Sequence, residues 1–180
     1  MDWEFDILYW FQGLHTPLLD KIVVAVTSLG NSGIFWILLT IAMLIFCKEK
    51  KAAWTSALAL IFSLLVCNIL LKNLVARDRP CWIDPSVELL VKMPKDFSFP
   101  SGHSSASFAS AVCVFLYYRK QGIAALILAA CIALTRLYLF VHFPTDVLIG
   151  TLLGIAEALA AYVIVQYLYR RKESLAAKNG

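Results

Sequence analysis

Residues 122–140 read GIAALILAACIALTRLYLF, an almost unbroken apolar run whose one charged side chain, Arg136, stands near its end. A helix of that length rises 1.5 Å per residue and reaches about 28 Å, close to the ~30 Å hydrocarbon thickness of a bilayer. A guanidinium inside such a run costs about 2.5–3.5 kcal/mol on insertion scales, so Arg136 is a candidate functional group from the outset.

Working outward, the run is followed by the tight loop Val141 to Thr145 and by a last apolar stretch from about Pro144 to Tyr169, which ends at Arg170-Arg171-Lys172. Upstream, Arg119-Lys120 makes a short turn after a run from Gly102 to Tyr118, and Lys48-Glu49-Lys50-Lys51 separates Gly33–Cys47 from Trp54–Leu71. The 180 residues are 61% hydrophobic and 16% charged, against about 45–50% and about 25% in an ordinary soluble domain. A soluble globular protein is excluded. The expected fold is an all-α polytopic transmembrane bundle of five or six helices, one domain over 1–180, with interfacial or short helices in 1–30. Trp3 to Leu14 mixes aromatics and acids, as a helix lying in the membrane interface does, and Gly30-Asn31-Ser32-Gly33 is a breaker ahead of the first full crossing.

The net charge is +4, but most Lys and Arg sit at the ends of apolar runs, so no basic face for nucleic acid is expected. Cys47, Cys67, Cys81, Cys113 and Cys131 form neither a disulfide framework nor a zinc spacing. Asp2, Glu4 and Asp6 stand where a signal peptide carries basic residues, and cleavage is not expected. If the helices alternate, Lys48, Lys50, Lys51, Arg119, Lys120, Arg170, Arg171 and Lys172 share one side, which the positive-inside rule makes cytoplasmic. The expected location is the plasma membrane, with the polar stretch 72–102 and the loop around His142 on the outer side.

That outer side collects Lys72 with Arg79-Pro80, then Pro100-Ser101-Gly102-His103, then Arg136 with His142 and Asp146. Three permanent cations can neutralise phosphate oxygens, two of them through planar forks. Ser101 to His103 open an apolar helix, whose free N–H groups receive an anion, and Gly102 lets the backbone approach closely. Pro144 is suited to open the last helix, which folds Asp146 of its first turn back toward His142. A histidine beside a carboxylate is a candidate nucleophile whose tautomer is fixed by its neighbour.

In this order, Lys-x6-Arg-Pro, Pro-Ser-Gly-His and Arg-x5-His-x3-Asp resemble the three signature motifs of the type 2 phosphatidic acid phosphatase superfamily. The motifs span Lys72 to Asp146, and the helix layout extends the likeness over most of the chain. One departure is Thr135, where the third motif usually has serine. The resemblance implies a membrane hydrolase in which His142 attacks phosphorus to give a phosphohistidine and Asp146 holds its imidazole. His103 protonates the leaving oxygen and later activates water, while Lys72, Arg79, Ser101, Gly102 and Arg136 hold the phosphate. It implies neither metal nor cofactor, and a lipid phosphate or diphosphate as substrate: undecaprenyl diphosphate, phosphatidylglycerol phosphate or phosphatidic acid. A phosphotransferase using the same intermediate is one alternative, and a binder or transporter of lipid phosphates that turns nothing over is another.

Outside the motifs, plainer readings are preferred. Glu157, near mid-membrane, is expected to be hydrogen-bonded inside the bundle, and Gly150 and Gly154 to seat a neighbouring helix. His15 is assigned no chemistry. Arg77, Asp78, Lys92 and Lys95 are expected either to face solvent or to tune substrate entry, Arg77, Lys92 and Lys95 meeting a second phosphate. Trp82, Leu89, Leu90, Val91 and Met93 could form a lid.

The expected topology is tested with single cysteines in a background lacking the native ones. Asp84→Cys should react with an impermeant maleimide in intact cells and Lys120→Cys should not; the reverse pattern would overturn the orientation.

Overall fold

The computed structural model describes residues 2–178 and is all-α. Helix α1 (Asp2–Gln12) and helix α2 (Pro17–Leu29) come first, α2 opening on a Thr16 cap that accepts from Leu19 N–H, with Pro17 at its first turn. A 3-10 turn (Asn31–Gly33) leads into α3 (Ile34–Phe46). Then follow α4 (Lys50–Phe62), a π-helical continuation (Ser63–Leu71), α5 (Lys72–Val75), the short α6 (Pro80–Ile83), α7 (Gly102–Tyr117), α8 (Arg119–Tyr138) and α9 (Pro144–Lys178).

Among the described residues, three helical stretches are long and apolar enough to cross a membrane: Lys50–Ile83, Arg119–Tyr138 and Pro144–Ala177. The first crossing departs from the expected Gly33–Cys47. Alone, α3 has 13 residues, about 20 Å at 1.5 Å per residue, and only together with α2, bent by 44° at the break, is it long and apolar enough to cross, as a broken span or a re-entrant pair. Ser32 and Gly33 take left-handed φ values of 52° and 65° there, which is how the chain turns without a loop. The last helix also runs past Tyr169. Its RRKESLAAK tail marks the end of apolar sequence, but Arg, Lys, Glu, Leu and Ala are good helix formers, and Lys51 sits 3.6 Å from Glu173 across the two helix ends.

Helix α7, 16 residues long, lies between α4, α8 and α9. Its buried serines are satisfied inside the bundle: Ser107 accepts from Trp36 Nε1 (2.9 Å), Ser110 bonds Ser56 (2.9 Å), and Ser105 bonds Ser63 (2.7 Å) and donates to Glu157 (2.9 Å). Glu157 is thus hydrogen-bonded inside the bundle as expected, through Oε2, while its buried Oε1 has no partner among the described residues. A Cβ on Gly150 would meet Ser101 O at 2.6 Å and one on Gly154 would meet Ser105 O at 2.3 Å, so this glycine pair does seat α7 against α9.

The turn between α8 and α9 carries the site. Val141 N–H donates to Arg136 O (3.2 Å) and Phe140 N–H to Leu137 O (3.0 Å), a Schellman ending. Its left-handed position, usually glycine, is Phe140 with φ 56°. The Phe140 ring is fully buried, packing 6.1 Å from Phe5 and 5.6 Å from Tyr9 of α1. Phe140 belongs to the largest apolar cluster, which includes Leu8, Val23, Cys81, Leu137 and Phe143 and which Leu89, Leu90 and Val91 of the long loop also join. Phe140→Gly should relieve about 1–2 kcal/mol of left-handed strain but lose the about 3–5 kcal/mol that truncating a buried phenyl costs. A lowered thermal midpoint in detergent is expected; an unchanged or raised one would show that the ring does not set this turn.

Candidate active site

Helix α9 begins where the site begins. Phe143 is its cap, Pro144 its first residue, and Asp146 reaches back to accept Phe143 N–H at 2.8 Å, the return half of a capping box. The same oxygen, Oδ2, accepts from Ser98 Oγ and lies 3.6 Å from His142 Nδ1. Ser98 Oγ is 3.4 Å from that Nδ1, and His142 Nε2 faces Arg79 Nη1 at 3.1 Å. Arg79 has no lone pair to accept with, so Nε2 presents its own lone pair and the ring proton sits on Nδ1, toward Ser98 and Asp146. Burial holds His142 well below its ordinary proton affinity, and the cations Arg79, Arg136 and Lys72 act in the same direction. At neutral pH the ring is uncharged, with Nε2 available to attack.

Around it stand the expected cations. Lys72, 6% exposed, pairs with Asp96, and Arg79, 2% exposed, donates to Asp96 Oδ1 (2.9 Å) and to the carbonyls of Asp96 (2.7 Å) and Val141 (2.7 Å). Burial alone would raise the Asp96 carboxyl, but the Lys72 hydrogen bond and charge, aided by Arg79, outweigh it and hold it at about 2. Arg136 donates to Thr27 of α2 at 2.5 Å, while its buried Nε–H has no partner among the described residues. His103 bonds Asn31 at 3.1 Å, and Gly30 is required beside it, since a Cβ there would come 2.6 Å from the His103 ring. Asn68 packs on Gly102, whose Cβ would meet Asn68 Oδ1 at 2.3 Å.

A cavity of about 1150 Å³ joins these groups. Lys72, Arg79, Gly102, His103, Arg136 and His142 line its charged end, and Ile37, Ile41 and Leu44 of α3, Leu60 and Ile61 of α4 and Leu64 of the π-helical continuation line its apolar end. Lys92, Met93, Lys95 and Asp96 border it from the long loop. Thus the structure brings seven of the eight residues singled out in the sequence into one place: six line the cavity, and Asp146, fully buried, stands behind His142. Ser101 is different. It is fully buried, its hydroxyl accepts from Ser104 N–H and O–H as the α7 cap, and it does not line the cavity. The Thr135 hydroxyl turns back to Ile132 O, so the departure from serine lies outside the site.

Sequence reading missed Asp96, Ser98, Asn31 and Asn68, and it gave Arg77 to solvent or to a second phosphate. Arg77 instead bonds Asp146 and Glu4 and does not line the cavity. Ser98 is tied by its N–H to Arg77 O (2.8 Å), a pairing across the long loop that no spacing reveals.

Comparisons with known proteins place the chain in a family. The pattern of the PAP2 superfamily matches residues 52–170, and the chain belongs to that superfamily. It is 28% identical over 188 residues to a lipid A 4'-phosphatase of Bacteroides thetaiotaomicron, covering 96% of this chain and 81% of that one. To an undecaprenyl-diphosphatase of Sulfolobus acidocaldarius it is 31% identical, over 76% of this chain and 66% of the relative. The crystal structure of Aquifex aeolicus LpxE superposes with a TM-score of 0.76 at 29% identity, over 87% of this chain and 93% of that one. The protein is an integral membrane lipid phosphatase of this superfamily.

Asp96 occupies Lys72 and Arg79, two of the cations that the sequence motifs assign to the phosphate. Asp96→Asn should therefore tighten inhibition by vanadate about two- to fivefold, the scale of a partly exposed ion pair. Because the carboxyl stays ionised far below its usual range, the gain should be equal at pH 5 and pH 8 and shrink only as pH falls toward 2. Unchanged or weaker inhibition would mean that Asp96 does not compete.

Proposed function

We propose that the enzyme removes the terminal phosphate of a membrane lipid phosphate or diphosphate at the outer face of the plasma membrane, through a phosphohistidine on His142. The observation that carries this is the two-ended cavity: buried cations and both histidines at one end, an apolar wall between α3 and α4 at the other. A tail lying against Ile37, Ile41, Leu60 and Leu64 adds about 0.8 kcal/mol per CH₂ removed from water, a gain closed to a soluble ester.

In the proposed reaction, Lys72, Arg79, Arg136 and the α7 N-terminus at Gly102 hold the phosphate oxygens, Arg136 offering its unpartnered N–H. His142 Nε2 attacks phosphorus, and the charge that grows on the ring is met by Asp146. His103, which faces the cavity from Asn31 and takes up a proton as the bound phosphate anion offsets the neighbouring cations, gives that proton to the leaving oxygen and then takes one from water. Positioning and charge neutralisation by the chain's own residues supply what phosphoryl transfer needs.

Among head groups, a diphosphate is favoured. Arg77 is committed elsewhere, but Lys92 and Lys95 border the cavity beyond the three buried cations and suit a second phosphate. A phosphomonoester on a larger lipid head is the second reading, favoured by the relative named as a lipid A 4'-phosphatase that matches 96% of the chain.

Purified chain in detergent should release phosphate from undecaprenyl diphosphate, phosphatidylglycerol phosphate or phosphatidic acid with higher kcat/KM than from p-nitrophenyl phosphate, and EDTA should not abolish it. His142→Ala should be inactive. Equal efficiency on the soluble ester would reject the lipid reading, wild-type rates from His142→Ala the mechanism, and diphosphate turnover indifferent to Lys92→Ala and Lys95→Ala the diphosphate preference.

A further inference from the structure

Two charged groups outside the cavity lean on the nucleophile's partner. Arg77 Nη1 donates to Asp146 Oδ1 at 2.6 Å and to Thr145 Oγ1 at 2.8 Å, while its Nη2 donates to Glu4 Oε2 at 2.6 Å. Glu4 in turn accepts the Thr145 hydroxyl at 2.6 Å and its N–H at 3.3 Å. The guanidinium lies 4.0 Å from the centre of the Phe143 ring, so it is stacked as well as bonded. Glu4 is 4% exposed and Asp146 fully buried, and neither Glu4 nor Arg77 lines the cavity.

We propose that Glu4 and Arg77 are positioning residues of the catalytic centre: helix α1, through a Glu4–Arg77–Asp146 chain of ion pairs, fixes the carboxylate that orients His142. The inference rests on the phosphohistidine reading. A carboxylate gripped only at Oδ2, by Ser98 and Phe143 N–H, can still rotate about its stem. Arg77 holds Oδ1 on the opposite side, which locks the carboxylate plane and keeps Oδ2 facing His142 Nδ1. Arg77 needs its own anchor, because a guanidinium paired with Asp146 alone could swing; Glu4 supplies it through the second arm of the fork.

The geometry also says why the anchor comes from α1. Its buried face packs Leu8 into the main cluster and Phe5 edge-on to Phe143 at 5.3 Å, while Trp3 and Trp10 are 54% and 62% exposed on its other face. An aromatic face of that kind belongs at the membrane–water boundary. Glu4 is therefore delivered to the catalytic turn by an element whose height is set by the bilayer surface. If Arg77 loses its charge, two buried carboxylates are left facing each other without a cation, an arrangement that one removed partner makes strongly unfavourable.

The test uses the full chain in detergent, with p-nitrophenyl phosphate and a lipid phosphate as substrates, and compares Arg77→Gln, Arg77→Lys, Glu4→Gln and the double variant. Wild-type turnover that disappears in His142→Ala establishes the reading on which the inference rests, and the Arg77 and Glu4 variants then test the inference alone. Arg77→Gln should lower kcat about 10- to 100-fold with KM within about twofold, as expected for a group that acts on the reacting residue without touching substrate. Arg77→Lys should recover part of the rate. Glu4→Gln should lower kcat less, and should cost little further in the Arg77→Gln background, since its hold on Asp146 passes through Arg77 and its amide oxygen can still accept from Thr145. Thermal midpoints are recorded for each, because a purely structural contact would lower the midpoint and leave kcat of the folded fraction unchanged. Should Arg77→Gln fail to fold, Arg77→Lys and Glu4→Gln decide, and wild-type kcat in both overturns the proposal. A raised KM at unchanged kcat overturns it too, by placing Arg77 on the substrate.

Discussion

Lys72, Arg79 and Arg136 are 6%, 2% and 5% exposed, and holding three cations together at one end of an apolar bundle is the constraint that shapes everything around them. Each is costly to bury alone. The protein meets this with Asp96 across Lys72 and Arg79, with the carbonyls of Asp96 and Val141 on Arg79, and with Thr27 on Arg136. Those partners come from the long loop, the catalytic turn and α2. The loop is consequently packed down over the bundle, its Leu89, Leu90 and Val91 joining the main apolar cluster. Burial, with the same cations acting in the same direction, keeps His142 unprotonated, so under the proposed reaction the groups that hold the phosphate also prepare the histidine that attacks it.

Below that end, the bundle is held by small residues and hydroxyls. Helix packing in lipid gains little from apolar burial, and close approach with interhelical hydrogen bonds takes its place. Gly150 and Gly154 bring α9 onto α7, while Ser56, Ser63, Ser105, Ser107 and Ser110 bond across the interfaces. Ser101 N–H donates to Asp146 O at 3.0 Å, so the helix pair that the glycines bring together also aligns the caps of α7 and α9. Rigid packing and site geometry are two results of one contact.

Much of this was legible in the sequence, and the gaps have physical causes. The spans could be read because a bilayer demands length and apolarity, and Pro144 with Asp146 announced the start of α9 by local chemistry alone. That the motif residues would gather in one place could be read because cations, a helix start and a histidine beside a carboxylate are the groups phosphate chemistry calls for together. What escaped were the partners of those residues. Asp96, Ser98 and Asn31 are polar residues in polar segments, and only tertiary contact separates them from solvated neighbours. Arg77 looked like one more loop cation because its two acids lie 73 and 69 residues away. The break at Gly30 to Gly33 was visible, but not that α2 and α3 reach the length of a crossing only as a pair bent by 44°, since neither helix is long enough alone.

The cavity between α3 and α4 has a further consequence for how the products leave. Under the proposed reaction the substrate is cut at the charged end, and its halves then belong to different phases. The freed phosphate has only ionic contacts, with Lys72, Arg79, Arg136 and the neighbouring loop lysines, and escapes to water. The tail keeps its contact with Ile37, Ile41, Leu60 and Leu64 and escapes sideways into lipid. Ionic strength thus governs one departure and bilayer composition the other, and two products that diffuse in separate phases seldom meet again at the site to run the reaction backwards.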